Sequence, residues 1–158
     1  MIQSVKDTLQ ELVKERNQGS DEANIIIRDF FSKIRPKISI SEYLDRILSY
    51  LHFDEKILIY SIYLLKKLKI KYSELIFNEM NIYRFILIRL FFCSLIISIK
   101  FLSDEFSSKK MYSFVGGIPI SELNSLEATF LSLLNFEIFV DDREFERFYR
   151  TMQINLTP

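Results

Sequence analysis

Residues 99–140 read IKFLSDEFSSKKMYSFVGGIPISELNSLEATFLSLLNFEIFV. One lysine, Lys100, closes an apolar run, and one glutamate, Glu127, lies inside a second apolar run. Gly116, Gly117 and Pro119 stand between the two runs, and these residue types commonly end or begin helices. The stretch therefore predicts helices on both sides of a glycine turn, with one charged side chain set into each apolar run.

The composition indicates a single folded domain. The chain has 158 residues, of which 49% are apolar and 15% aromatic, with only three glycines and three prolines. A chain of this length buries about two thirds of its unfolded surface, so disorder is expected only at the ends. Twenty-one basic and 21 acidic residues cancel, which disfavours nucleic acid and anionic membranes as partners.

Two segments resemble targeting or membrane elements but are better interpreted as soluble helices. The N-terminus is charged throughout and lacks a continuous apolar core, so it predicts an amphipathic helix rather than a signal peptide. Residues 82–102 are interrupted by Arg84, Arg89 and Lys100, and the ten uncharged residues 90–99 are too few to cross a bilayer. The single Cys93 excludes an intramolecular disulfide and suits the cytoplasm or the nucleus.

Apolar residues recur at helical spacing along nearly the whole chain. The first helix should carry Ile2, Val5, Leu9, Leu12 and Val13, followed by a polar linker at 17–22 and a short helix from Asp21 toward Pro36. Candidate capping residues predict later helices that start at Ser41, Asp54, Ser121 and Asp141 or Asp142. Between these, a strongly apolar helix should cover residues 81–102 and a shorter one residues 107–114.

This order of helices resembles the cyclin box. The double glycine, the Glu-Leu-Asn at 122–124 and the Leu-Glu at 126–127 narrow the resemblance to the P/U-type cyclins. The resemblance implies an all-α fold with a single five-helix cyclin box at residues 38–140. An N-terminal helical extension would occupy residues 1–37, and a C-terminal helix and tail would occupy residues 141–158.

The same resemblance implies a function in regulation, not catalysis. A cyclin is the regulatory subunit of a cyclin-dependent protein kinase, which it binds beside the C-helix and activates; no cofactor and no metal are expected. Within the family a lysine that ends the third helix and a glutamate of the fifth contact the kinase, and these match Lys100 and Glu127. Apolar positions around them imply a docking surface composed of Ile97, Phe101, Leu131, Phe136 and Ile138.

Two positions depart from the family pattern. Arg46 matches an arginine that in many cyclins pairs with an aspartate of the second helix, but Leu65 occupies the aspartate's place, so this salt bridge should be missing. Ser103 precedes Asp104 and Glu105, where the branch often has two acidic residues at once. The second departure predicts an altered choice of kinase or an altered affinity.

The main alternative is a helical adaptor or scaffold that has the cyclin fold but activates no kinase. On spacing alone, Lys100 could simply extend from a helix end to water and Glu127 could be an ordinary surface residue. His52 and Cys93, each the only residue of its kind, show no spacing typical of zinc ligands. No phosphate-binding loop or nucleophile motif is present, so enzyme classes lack support.

Overall fold

The computed structural model describes residues 1–12, 28–30, 37–72 and 84–154. Within these ranges the chain is helical and contains no strand, which confirms the predicted all-α fold. The α-helices are α1 (Ile2–Leu12), α2 (Ile40–Tyr50), α3 (Glu55–Lys71), α4 (Arg84–Leu102), α5 (Lys109–Gly116), α6 (Ile120–Leu133) and α7 (Asp142–Ile154). A 3-10 turn covers Arg28–Phe30.

Helix α4 lies at the centre of the fold. Its side chains from Ile86 to Ile99 are buried all round, because α2, α3, α5 and α6 pack against it. This confirms the interpretation as a buried helix for the described residues 84–102. Residues 81–83, where the helix was predicted to begin, lie outside the described residues. Among the described residues, no helix combines the length and the hydrophobicity that a membrane span needs.

The terminal helices α1 and α7 flank this bundle and contact each other. Of the predicted α1 stripe, Val5, Leu9 and Leu12 are buried whereas Ile2 is 45% exposed, and α1 packs on both α2 and α7. The Thr8 hydroxyl lies 3.9 Å from the Met152 sulfur. Val13, the linker at 17–22 and most of the short helix predicted from Asp21 lie outside the described residues; its described part, residues 28–30, is a 3-10 turn that buries Phe30.

Two of the predicted helix caps are wrong by two residues. Helix α2 is capped by Ser39, not Ser41: the Ser39 hydroxyl accepts from the Glu42 N–H, and the Glu42 carboxylate accepts from the Ser39 N–H. This reciprocal pair satisfies two backbone donors at once, which Ser41 could not do without a glutamate three residues later. Asp54 caps α3 as predicted.

The other wrong cap is at α6, which begins after Pro119 instead of Ser121. Proline has a fixed φ that suits entry into a helix, and no side chain caps this end. Glu122 lies in the first turn, as predicted. At the C-terminal end of the chain Asp141 caps α7, since its carboxylate accepts from the N–H groups of Arg143 and Glu144.

The glycine pair ends α5 as predicted, but the two residues have different roles. Gly117 has a φ of 64°, the left-handed conformation of a helix terminus. Gly116 is buried, and a Cβ atom there would overlap the ring of Phe92. One glycine therefore permits the turn, and the other permits α5 to approach α4 closely.

Arg46 forms hydrogen bonds with backbone carbonyls and not with an aspartate. Leu65 is fully buried in the core, and the Arg46 guanidinium instead donates to the carbonyls of Phe114 and Val115, with both distances 3.0 Å. Its carbon Cζ also lies 5.4 Å from the centre of the Phe114 ring. Arg46 thus caps the C-terminal end of α5, where a cation suits the helix dipole.

Candidate functional site

The structure brings Lys100 and Glu127 into direct contact. The Lys100 Nζ lies 2.6 Å from a Glu127 carboxylate oxygen, across the contact between α4 and α6. The Lys100 side chain is 30% exposed and that of Glu127 14% exposed. The pair is therefore mostly desolvated but keeps some access to solvent, and its ammonium and carboxylate have donor and acceptor sites beyond this one contact.

Local structure places the charge of Lys100. Lys100 lies in the last turn of α4, where the free helix carbonyls favour a cation. Its ammonium also lies 6.0 Å from the centre of the Tyr112 ring, at the limit of a cation–π contact. Tyr112 is itself fixed, because it is buried and its hydroxyl accepts from the N–H of Ser107. Burial raises the pKa of the Tyr112 phenol, so that it stays neutral beside the ion pair.

A second ion pair also joins α4 to α6. The guanidinium of Arg89 contacts the carboxylate of Glu122, and the Arg89 side chain is almost fully buried. This pair joins the first turn of α6 to the N-terminal half of α4. The sequence singled out Glu122 only as a residue suited to the helix dipole and did not predict its partner.

The apolar residues predicted for the site differ in exposure. Phe101 is 44% exposed and Phe136 67% exposed, whereas Leu131 and Ile138 are half-buried against the core. Ile97 is only 5% exposed, so it supports the site from inside and offers little surface of its own. The spacing of Ile97 and Phe101 on α4, and of Glu127 and Leu131 on α6, puts each pair on one helix face.

Tyr60 of α3 joins two of these predicted residues. Its ring packs against that of Phe101 at 6.1 Å between centres, and its hydroxyl donates to the carbonyl of Ile138 at 2.5 Å. Burial raises the pKa of Tyr60 to about 12, so that the hydroxyl remains a donor. The sequence analysis missed Tyr60, because nothing in a helical pattern shows that its polar tip meets a chain segment 78 residues away.

The sequence analysis also missed Leu102 and Phe139. They are 46% and 73% exposed, and each is a neighbour in sequence of a residue that was predicted. The sequence contained a signal for both, because each is an apolar residue beside a turn: Leu102 at the end of α4 and Phe139 after α6. Both are therefore available at the surface to a partner.

The histidine and the cysteine lie in different surroundings. His52 is exposed at the end of α2, whereas Cys93 is buried in α4, and burial raises the pKa of its thiol. Within residues 1–12, 28–30, 37–72 and 84–154, no group of three or more histidine, cysteine, aspartate or glutamate side chains could hold a metal ion.

Comparison with known proteins identifies the family. The family model described as Cyclin matches residues 2–138. The chain belongs to the cyclin family. The match includes α1 and all of the predicted site, so the cyclin resemblance inferred from residues 99–140 is confirmed.

Individual relatives place the chain in the P/U-type branch. It is 32% identical to PHO85 cyclin PHO80 of Saccharomyces cerevisiae over 118 residues, which make up 75% of this chain and 39% of the relative. It is 35% identical to the PHO85 cyclin-like protein psl1 of Schizosaccharomyces pombe over 112 residues, 70% of this chain and 44% of that one. Cyclin-U4-1 of Arabidopsis thaliana is 30% identical over 128 residues, 81% of this chain and 61% of the relative. The chain spans less than two thirds of each of these relatives.

Proposed function

We propose that this cyclin is the regulatory subunit of a cyclin-dependent protein kinase, which it activates by docking on the kinase C-helix. The observation that carries the proposal is the partly open Lys100–Glu127 ion pair with exposed apolar side chains beside it. The names of two of its relatives, PHO80 and psl1, describe them as a PHO85 cyclin and as PHO85 cyclin-like, which supports the same partner class. The docking residues would be Lys100, Glu127, Phe101, Leu131, Phe136 and Ile138, with Ile97 beneath them.

The ion pair is suited to binding backbone groups at the end of a partner's helix or in a partner's loop. Its ammonium offers donors to exposed carbonyls and its carboxylate offers acceptors to amides, so one site recognises both kinds of backbone group. Because each charge neutralises the other, the pair enters an interface at a lower desolvation cost than a single charge would. The apolar side chains around it contribute most of the burial energy, about 25 cal/mol per Å² before association costs.

Docking of this kind activates a kinase by shifting a conformational equilibrium. A glutamate of the kinase C-helix must reach the catalytic lysine, and a rigid surface that binds only this arrangement increases its population. The rigidity comes from the packing of α3 and α6 on the buried α4. On this mechanism the cyclin contributes no reacting group.

The domain division and the location of the protein are part of the proposal. The cyclin box would occupy residues 38–140, the N-terminal extension residues 1–37 and the C-terminal helix and tail residues 141–158. The packing of α1 and α7 on the box supports their role as flanking elements. A location in the cytoplasm or nucleus is supported by the buried, unpaired Cys93, which suits a reducing compartment.

A pull-down from the native cells tests the function. The tagged wild-type chain is compared with the double variant Lys100→Ala/Glu127→Ala, and each eluate is analysed by mass spectrometry and assayed for kinase activity. Glu146→Ala/Arg150→Ala is the matched control, because it removes an exposed ion pair of α7 with a distance of 2.9 Å. Circular dichroism verifies that all three proteins are folded.

We expect wild type and control to recover an active cyclin-dependent kinase, and the site variant to lose roughly tenfold or more of it, as when central interface residues are truncated. Full activity with the site variant would refute docking through Lys100 and Glu127. If none of the folded proteins recovers a kinase, the adaptor function is the better explanation.

A further inference from the structure

The turn that follows α6, residues 133–138, has an unusual backbone. Asn135 and Phe136 are consecutive and have φ angles of 53° and 59°. Left-handed conformations cost L-residues roughly 1–2 kcal/mol each, and a bulky residue such as phenylalanine rarely adopts one. Such a conformation persists only where neighbouring structure holds it, and it is often found at functional sites.

Side chains on and next to helix α3 hold this turn in place. The Lys67 Nζ donates to the Glu137 carbonyl at 2.6 Å, and the Lys71 Nζ donates to the Leu133 carbonyl at 2.8 Å. The hydroxyls of Tyr72 and Tyr60 donate to the carbonyls of Leu133 and Ile138, at 2.9 and 2.5 Å. Four side chains near one edge of α3 thus bind carbonyls at both ends of the turn.

These bonds complete the hydrogen bonding of the turn. Its own N–H groups are already used: Asn135 donates to Ser132, Phe136 to Leu131, and Glu137 to Leu134. The carbonyls at the end of α6 lack such partners within the helix, and lysine ammonium groups suit them because the helix dipole is negative there. Among the described residues, neither ammonium forms an ion pair with a carboxylate.

The held turn presents aromatic side chains to solvent. Phe136 is 67% exposed and Phe139, just beyond the turn, is 73% exposed. With the backbone held at both ends, the direction in which the Phe136 side chain leaves the backbone is fixed. A preorganised contact of this kind strengthens binding, because the ordering cost has been met before the partner arrives.

We propose that Lys67 and Lys71 are positioning residues that hold residues 133–138 in the left-handed turn and so set the direction in which Phe136 meets the partner. That the partner is a kinase rests on the proposed function. The two lysines do not touch the partner themselves; they act through the backbone of the turn. Removing them would leave the docking residues present but less often correctly arranged.

The test compares two double variants of α3 that lose the same charge. Lys67→Met/Lys71→Met removes the two ammonium donors and keeps side chains of similar length. Lys56→Met/Lys69→Met is the matched control, because both of its lysines lie on α3 and are exposed. The first measurement is hydrogen–deuterium exchange of the backbone amides of residues 134–138 in the isolated chain. The second is the Kd for the kinase recovered with the wild-type chain.

We expect Lys67→Met/Lys71→Met to speed exchange in the turn roughly tenfold, with the amides of α4 unchanged, and the control to exchange like wild type. The Kd should rise roughly tenfold, as it does when the binding-competent conformation falls to about a tenth of the population. Unchanged exchange would overturn the role of the lysines in holding the turn.

The remaining outcomes separate this inference from the proposed function. Faster exchange with an unchanged Kd would overturn the positioning role, since the turn would be loosened without consequence for binding. If the folded wild-type chain binds no kinase, the proposed function fails and the kinase part of this inference fails with it. The exchange measurement still decides whether α3 holds the turn, because it needs no partner.

Discussion

The two adjacent glycines should respond differently to the same substitution. Gly117→Ala places a Cβ in open space, and its cost is the left-handed φ of 64°, about 1 kcal/mol. Gly116→Ala places a Cβ inside the ring of Phe92, which is fully buried and packs edge-on against Tyr43 at 6.1 Å. Because this ring has little room to move, we expect a cost of about 3 kcal/mol, near the upper end for overpacking.

Thermal unfolding followed by circular dichroism measures this difference. For a chain of 158 residues, about 1 kcal/mol corresponds to a change of roughly 2–4 °C in Tm. Gly117→Ala should therefore lower Tm by roughly 2–4 °C, and Gly116→Ala by roughly 6–12 °C. In a Phe92→Leu background the Gly116→Ala penalty should shrink, since the clashing ring is gone. Equal decreases in Tm for the two glycine variants would refute the steric explanation. So would a Gly116→Ala decrease in Tm that is as large in the Phe92→Leu background as in wild type.

Three further predictions concern stability. Arg46→Met should lower the free energy of unfolding in urea by about 2 kcal/mol, because two charged hydrogen bonds to the carbonyls of Phe114 and Val115 are lost; a loss below about 0.5 kcal/mol would contradict this capping role. Leu9→Ala should cost about 3 kcal/mol in the same assay if α1 is integral to the core, where this side chain is 1% exposed, and a negligible cost would show that α1 is only loosely attached. Burial raises the pKa of the Cys93 thiol, so the unfolded chain loses this proton first as pH rises. This thiol alone should therefore lower the free energy of unfolding by about 2 kcal/mol between pH 8 and pH 10, and Cys93→Ala should lose that part of the pH dependence; an identical slope in the variant would contradict it.

Much of the fold could be predicted because its signals are local. The start of α3 at Asp54 and the strongly apolar character of α4 follow from local patterns alone, and both are confirmed. The cap of α2 could also have been predicted from the sequence, since Ser39 is followed three residues later by Glu42. This is the capping-box pattern, which Ser41 lacks. The start of α6 at Pro119 was harder to predict, because Ser121 has the better capping side chain and only the chain's path after the glycine turn decides between them.

The candidate site was likewise only partly predictable from the sequence. Lys100 and Glu127 could be paired from the sequence only through the family resemblance, since nothing local connects residues 27 apart. Ile97 was predicted to form part of the docking surface, but its position one turn before Lys100 puts it inside the packed side of α4. Where a helix is apolar all round, spacing cannot distinguish the face that a partner would see from the face that the core covers.

The turn after α6 was beyond prediction for a further reason. Asn135 is a residue type that tolerates a left-handed backbone, but Phe136 is not, and a sequence pattern alone would place neither there. The conformation exists because Lys67 and Tyr60, 70 and 78 residues earlier than their partners, donate to carbonyls of the turn. Lysines on an exposed helix edge ordinarily indicate only a solvated face. Here their position opposite the end of α6 connects the stability of α3 to the geometry of the proposed docking surface, so substitutions on α3 that never touch a partner should still change how the chain binds one.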